Sequence, residues 1–173
     1  MKLWTIHDEK TIKELDKHGA FICSSEKSLH INDFGFKDSY DWLSDQMKKR
    51  LSVSYDNISY PVWAWHTFNS KQKIDKRVSY IRSLPEDTYI IYLDIDDSRV
   101  LLSDFDTWHY VLNNIAYRED EYENTHISWS DSLTLEEKQK TWENIFDVRK
   151  SQIVQATFWK LEAKDIVKIE KLR

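Results

Sequence analysis

Asp94, Asp96, Asp97, Asp104 and Asp106 crowd one short stretch that also holds Trp108 and His109, so metal or acid-base chemistry would be sought there first. Oxygen ligands at that density suit magnesium, calcium or manganese. Their spacing matches no metal loop, however, and plainer uses exist. Asp97 and Ser98 fit an ordinary turn, and Asp104 fits a helix cap. No metal is expected. His109 lies three residues after Asp106, which would orient its ring for proton transfer. The plainer expectation is a partly exposed histidine on a helix flank, and Asp104 and His109 stay second-choice participants.

A second group is spread over three extended segments: His7 on the first, Trp63, Trp65 and His66 on the next, and Gln155 and Thr157 near the end. A flat ring or nucleotide base could stack on such tryptophans while His and Gln hold a ribose or amide. The competing expectation buries the tryptophans in the core and satisfies the polar groups internally. A third group is basic: Lys71, Lys73, Lys76, Arg77 and Arg82, with Ile74, Val78 and Ile81 at helical spacing. It predicts a short basic helix or a structured loop, and offers a surface to a protein or nucleic-acid partner.

The elements that must carry these side chains are legible in pattern. Leu3 to His7 alternates as a strand, Asp8 caps a helix over Glu9 to Lys17, and Gly19 stops it. Ala20 to Cys23 reads as a short strand and 24–37 as irregular. Ser39 to Arg50 reads as an amphipathic helix, with Tyr40, Leu43, Met47 and Leu51 on its face and Trp42 beside them. In Tyr60 to His66, Val62, Ala64 and His66 share one face and Trp63 and Trp65 the other, with Pro61 confining the strand to an edge or a start. Thr88 to Leu93 is the run expected at the centre of the sheet, covered on both faces. Val100 to Leu102 continues extended into a helix with Phe105, Trp108, Val111, Leu112 and Ile115 as its stripe. After an acidic, aperiodic stretch over 117–132, Thr134 to Glu137 forms a capping box for a helix towards Phe146. Gln152 to Leu161 and Ile166 to Leu172 close the chain as strands around a turn.

These elements define an α+β fold, a single globular domain over 1–173 with a mixed or antiparallel twisted sheet and flanking helices. With 2 glycines, Walker and Rossmann loops are excluded and turns fall to Asp, Asn and Ser. The net charge of -5 argues against general polyanion binding, although a local basic patch is compatible with it. The 8 Trp and 9 Tyr supply an aromatic core. Cys23, the lone cysteine, has no disulfide or zinc companion, and no zinc-type histidine pair or Gly-x-Ser-x-Gly elbow is present. No apolar run suggests a membrane span or leader, and the cytoplasm is the expected compartment.

Five ordered motifs carry a family resemblance: Leu3-Trp-Thr-Ile6, Tyr40-Asp-Trp-Leu43 with Gln46-Met-Lys-Lys-Arg50, Pro61-Val-Trp-Ala-Trp65, Val100 to Asn113, and Gln155-Ala-Thr-Phe-Trp159. Together they resemble a bacterial domain-of-unknown-function family, number 3841, over nearly the whole chain. A more distant resemblance is to ADP-ribosyltransferases, in the order of His7, the Trp63 to His66 segment, Gln155-Ala-Thr157 and the closing turn and strand from Glu162 to Ile169. It implies an NAD pocket in which His7, Trp63, Trp65, His66 and Thr157 bind the cofactor, and His7 and Gln155 stand at the catalytic positions. It further implies transfer of ADP-ribose or hydrolysis of NAD. Where that family places a catalytic Glu this chain has Gln155 or Thr157, and an amide cannot stabilise an oxocarbenium ion as a carboxylate does. The alternative is a non-enzymatic binding module.

Overall fold

The computed structural model describes residues 1–23, 35–55, 57–58, 60–74, 77–119 and 128–173. Strand β1 (Lys2–Asp8) passes directly into helix α1 (Glu9–His18), because the Asp8 carboxylate accepts the Thr11 N–H at 3.0 Å. Gly19, at φ 68°, ends that helix in the left-handed region, and its N–H donates to the Leu15 carbonyl. A two-residue strand, β2 (Ala20–Phe21), follows. Helix α2 (Lys37–Arg50), strand β3 (Val62–Thr67), helix α3 (Val78–Ser83) and strand β4 (Thr88–Asp94) come next. A 3-10 turn at Asp97–Arg99 leads to β5 (Leu101–Asp104) and α4 (Phe105–Leu112). Helix α5 (Leu135–Trp142) opens on the capping box formed by Thr134 and Glu137. Strands β6 (Val154–Phe158), β7 (Leu161–Glu162) and β8 (Ile166–Lys171) complete the chain.

Six strands form one sheet in the order β5-β6-β3-β1-β4-β8, every neighbouring pair antiparallel, while β2 and β7 pair separately. The fold is α+β with an antiparallel sheet. The run Thr88 to Leu93, expected at the centre, lies beside the edge strand β8, and β1 and β3 take the middle. Its apolar continuity reports cover rather than position in the order: Ile90, Ile91 and Leu93 are buried from both faces. Pro61 stands just before β3, the start position that spares the ladder a missing donor. Of the basic stretch, 71–74 is irregular and Val78–Ser83 is α3, while Lys76 lies outside the described residues. Of the two segments expected to be irregular, 24–34 and 120–127 lie outside the described residues, and 128–131 is a helical turn.

Two layers cover the sheet. Leu3, Ala64, Ile91 and Phe158 pack with Leu15 of α1 and Leu161 of β7 on one face. On the other, Trp63 and Leu101 pack under Trp42, Leu43, Trp108, Val111 and Trp142 of the helices. The closing hairpin is tied down by Arg99, which donates to both oxygens of Asp165 at 2.8 and 2.9 Å and to Glu162 at 2.8 Å. Asp165 is only 5% exposed, so removing it strands the guanidinium among few waters. Asp165→Ala is expected to lower the unfolding free energy by about 3 kcal/mol. The same urea titration should show Lys164→Ala, on the exposed rim of the network, within about 0.5 kcal/mol of the parent.

Candidate functional site

Antiparallel register decides which of the expected site residues meet. Trp4 of β1 pairs with Trp65 of β3, Trp65 with Gln155 of β6, and Gln155 with Ser103 of β5, so these four side chains share the helix-covered face. Three residues along an unbroken β1, His7 points to the opposite face, where Phe21 meets its ring edge-on at 5.2 Å. His7 and Gln155 therefore do not come together. Its Nδ1 lies 3.3 Å from the Thr11 hydroxyl, and its Nε2 is buried without a partner. Burial lowers the His7 pKa to about 4, against a small opposing pull from Asp8.

The tryptophans part company too. Trp63 is drawn into the helix layer, 5.3 Å from Trp108 and 6.1 Å from Tyr40 between ring centres. Trp65 lies between Phe68 at 6.2 Å and Phe105 at 5.4 Å. Gln155 is 8% exposed, and its Oε1 and the Ser103 hydroxyl have no hydrogen-bond partner. Thr157 is fully buried and donates to the Leu101 carbonyl at 3.2 Å. Four of the five aspartates do local work. Asp96 caps the 3-10 turn through Ser98, Asp104 accepts the Thr107 N–H at 2.6 Å, and Asp94 and Asp97 hold the Met1 amine. His109 is exposed, and its Nδ1 donates to the Phe105 carbonyl at 2.9 Å.

The concavity that does collect chemistry lies on the same face as Trp65, beyond the helices, where β1 and β4 are roofed by the chain after β3. It encloses about 690 Å³, and Lys2, Lys71, Lys73 and Arg77 supply its cations. Trp4, Phe68 and Tyr92 supply its aromatic surface, and among the described residues no carboxylate or histidine lines it. Trp4, 5% exposed, is the back wall, while Phe68 and Tyr92 are half-buried. Trp4 and Tyr92 are direct cross-strand partners.

The roof is built by a bulge and a tight turn. Register slips between Trp65 and Thr67, which turns His66 out of the ladder. Phe68 and Lys71 then exchange both backbone hydrogen bonds, at 2.8 and 3.1 Å, around Asn69 at φ 49° and Ser70 at φ 57°. Two positive-φ residues in a two-residue loop suit the twist of a hairpin, and Asn tolerates that region well. Beyond the turn the Gln72 amide donates to His66 Nε2 at 2.9 Å, and His66 Nδ1 lies 2.9 Å from the Thr67 hydroxyl. The His66 pKa is lowered, first by burial and then by the N-terminal amine, with Asp97 opposing.

Trp65, His66 and the basic stretch were the parts of this region visible in the sequence. Lys2, Trp4, Phe68, Gln72 and Tyr92 were not singled out for function. The alternation of β1 put Lys2 and Trp4 on one face, but only the β1–β4 register brings Tyr92 beside them. The roof over that face depends on the bulge at His66, which no residue type announces.

A six-stranded antiparallel sheet with helices on both faces, and a basic, aromatic cleft on the part of one face that the helices leave, defines the class as an α+β protein. The chain belongs to the family described as a domain of unknown function, DUF3841, whose model matches residues 2–135. Every residue that lines the cleft falls inside that span, and Gln155 and Thr157 fall outside it. No curated protein and no solved structure matches the chain.

His7 makes stability depend on pH. Below about pH 6.5 the unfolded chain takes up a proton that the folded ring resists until about 4, so folding weakens as pH falls through that window. His7→Gln should remove about 3 kcal/mol of the parent's stability loss between pH 7 and pH 4, measured by urea unfolding at both values. Parallel pH profiles for parent and variant would mean that the ring titrates normally.

Proposed function

We propose that the protein binds a nucleotide in the cleft between β1, β4 and the chain at 68–74 with Arg77. The observation that carries this is the segregation of its lining: four cations and three aromatic rings around about 690 Å³, without a carboxylate among the described residues. Lysine and arginine side chains suit phosphate oxygens. Half-buried Phe68 and Tyr92 suit a base, since every base has a face that stacks and such contacts tolerate sequence. The volume falls within the range of small-molecule sites. A net charge of -5 favours a compact ligand over a nucleic-acid strand, whose affinity grows with the number of phosphates neutralised.

NAD is a member of that ligand class. Binding is proposed here without ADP-ribosyl transfer. Among the described residues the cleft lining holds neither a carboxylate for an oxocarbenium ion nor a histidine, and His7 and Gln155 stand on opposite faces of the sheet.

Calorimetric titration with ADP, pyrophosphate and NAD tests this. ADP should bind, and Lys71→Glu combined with Lys73→Glu should weaken it at least about tenfold, with an affinity that falls as salt rises. Tyr92→Ala should weaken ADP about tenfold and leave pyrophosphate nearly unchanged. No heat from any of the three at millimolar concentration would end the proposal.

A further inference from the structure

We propose that Gln72 reads the base and that the ligand of the cleft is an adenine nucleotide; this rests on the nucleotide-binding proposal for the same cleft. Gln72 lines the cavity together with Tyr92 and Phe68. Its amide is anchored on one side, because Nε2 donates to His66 Nε2 at 2.9 Å. A ring nitrogen that accepts there carries its proton on Nδ1, and that proton goes to the Thr67 hydroxyl oxygen at 2.9 Å. In this tautomer the chain Thr67–His66–Gln72 holds the amide nitrogen towards His66. Among the described residues it leaves Oε1 and the second N–H of Gln72 unused.

An adjacent acceptor and donor in one plane is the complement of one purine edge. Adenine offers the N6 amine as donor and N7 as acceptor, and a glutamine amide meets both at once. Guanine and hypoxanthine place two acceptors, O6 and N7, on the same edge. Against them Gln72 Oε1 would face an oxygen, and one of the two hydrogen bonds would be replaced by repulsion. The cations of Lys71 and Lys73 flank Gln72 in sequence and line the same cleft, so base and phosphate recognition are carried by one short loop. His66 touches no ligand in this arrangement and is a positioning residue.

ADP and IDP test the assignment, since on the edge that carries N7 they differ only at the 6-substituent, an amine in one and an oxygen in the other. Calorimetry on the whole chain should give ADP about tenfold tighter than IDP. Gln72→Ala should bring the two within about twofold, while pyrophosphate affinity stays unchanged. His66→Ala should erode the ADP preference without altering pyrophosphate binding, which a general loss of structure would not do. Equal affinities for ADP and IDP in the parent, or a preference that survives Gln72→Ala, would overturn the proposal. So would a preference for IDP, which would mean that the amide is turned with its oxygen towards His66. If no nucleotide or pyrophosphate binds at all, the cleft is not a nucleotide site, and the base assignment falls with it.

Discussion

Everything in this fold depends on one row of antiparallel partners: Trp4 with Trp65, Trp65 with Gln155, Gln155 with Ser103. Side chains alternate strictly across a strand, so that row commits four strands at once to the same facing. It sends Leu3, Val62, Ala64 and Phe158 to the opposite face, under α1 and the small sheet. A slip of one residue in β1 would exchange the facings of Leu3 and Trp4, turning Trp4 towards the face that Leu15 covers. Burial of large apolar groups on both faces forbids that, because it would expose several residues at about 25 cal/mol per Å².

The cleft exists because the helix layer does not reach across the whole face. Helices α2, α4 and α5 cover the end with Trp63 and Leu101, and the chain leaving β3 covers the end with Trp4 and Tyr92. The bulge at His66 is what lets β3 depart early enough to fold back. Charge is sorted along with shape. Asp94 and Asp97, close in sequence to the β4 wall, are engaged by the Met1 amine. Asp38, Asp41, Asp45, Glu136 and Glu143 gather along a separate groove between α2 and α5. A chain of negative net charge thereby keeps a cationic cleft.

Most of the fold was legible because it obeys local rules. Asp8, Gly19, Asp104 and the Thr134–Glu137 box mark helix ends by chemistry that acts within four residues. The facing of β3 and β6 followed from alternation alone, up to the bulge. Sheet order was not local: the run Ile90 to Leu93 carries no sign of whether the strand beside it is an inner or an edge strand. The candidate site was legible only in fragments for the same reason. A tryptophan on β1, a tyrosine on β4 and a glutamine after a turn become neighbours through pairing and a bulge. The grouping of His7 with Gln155 paired residues by their order in the chain, and order says nothing about which face of a sheet a side chain takes.

The tryptophans show how position in the layers assigns work to one residue type. Trp63 has helices above it and becomes core, packed on Trp108. Trp65, one alternation further, lies between Phe68 and Phe105, on the row that holds the unpartnered Gln155 Oε1 and Ser103 hydroxyl. Trp4, one strand over, backs the cleft that Phe68, Lys71 and Lys73 also line. Because Phe68 touches Trp65 and also lines the cleft, the loop that would hold a ligand is coupled to the packing over that polar row. The cleft and the centre of the sheet are thus linked through one phenyl ring, which meets Trp65 and lines the cleft that Trp4 backs.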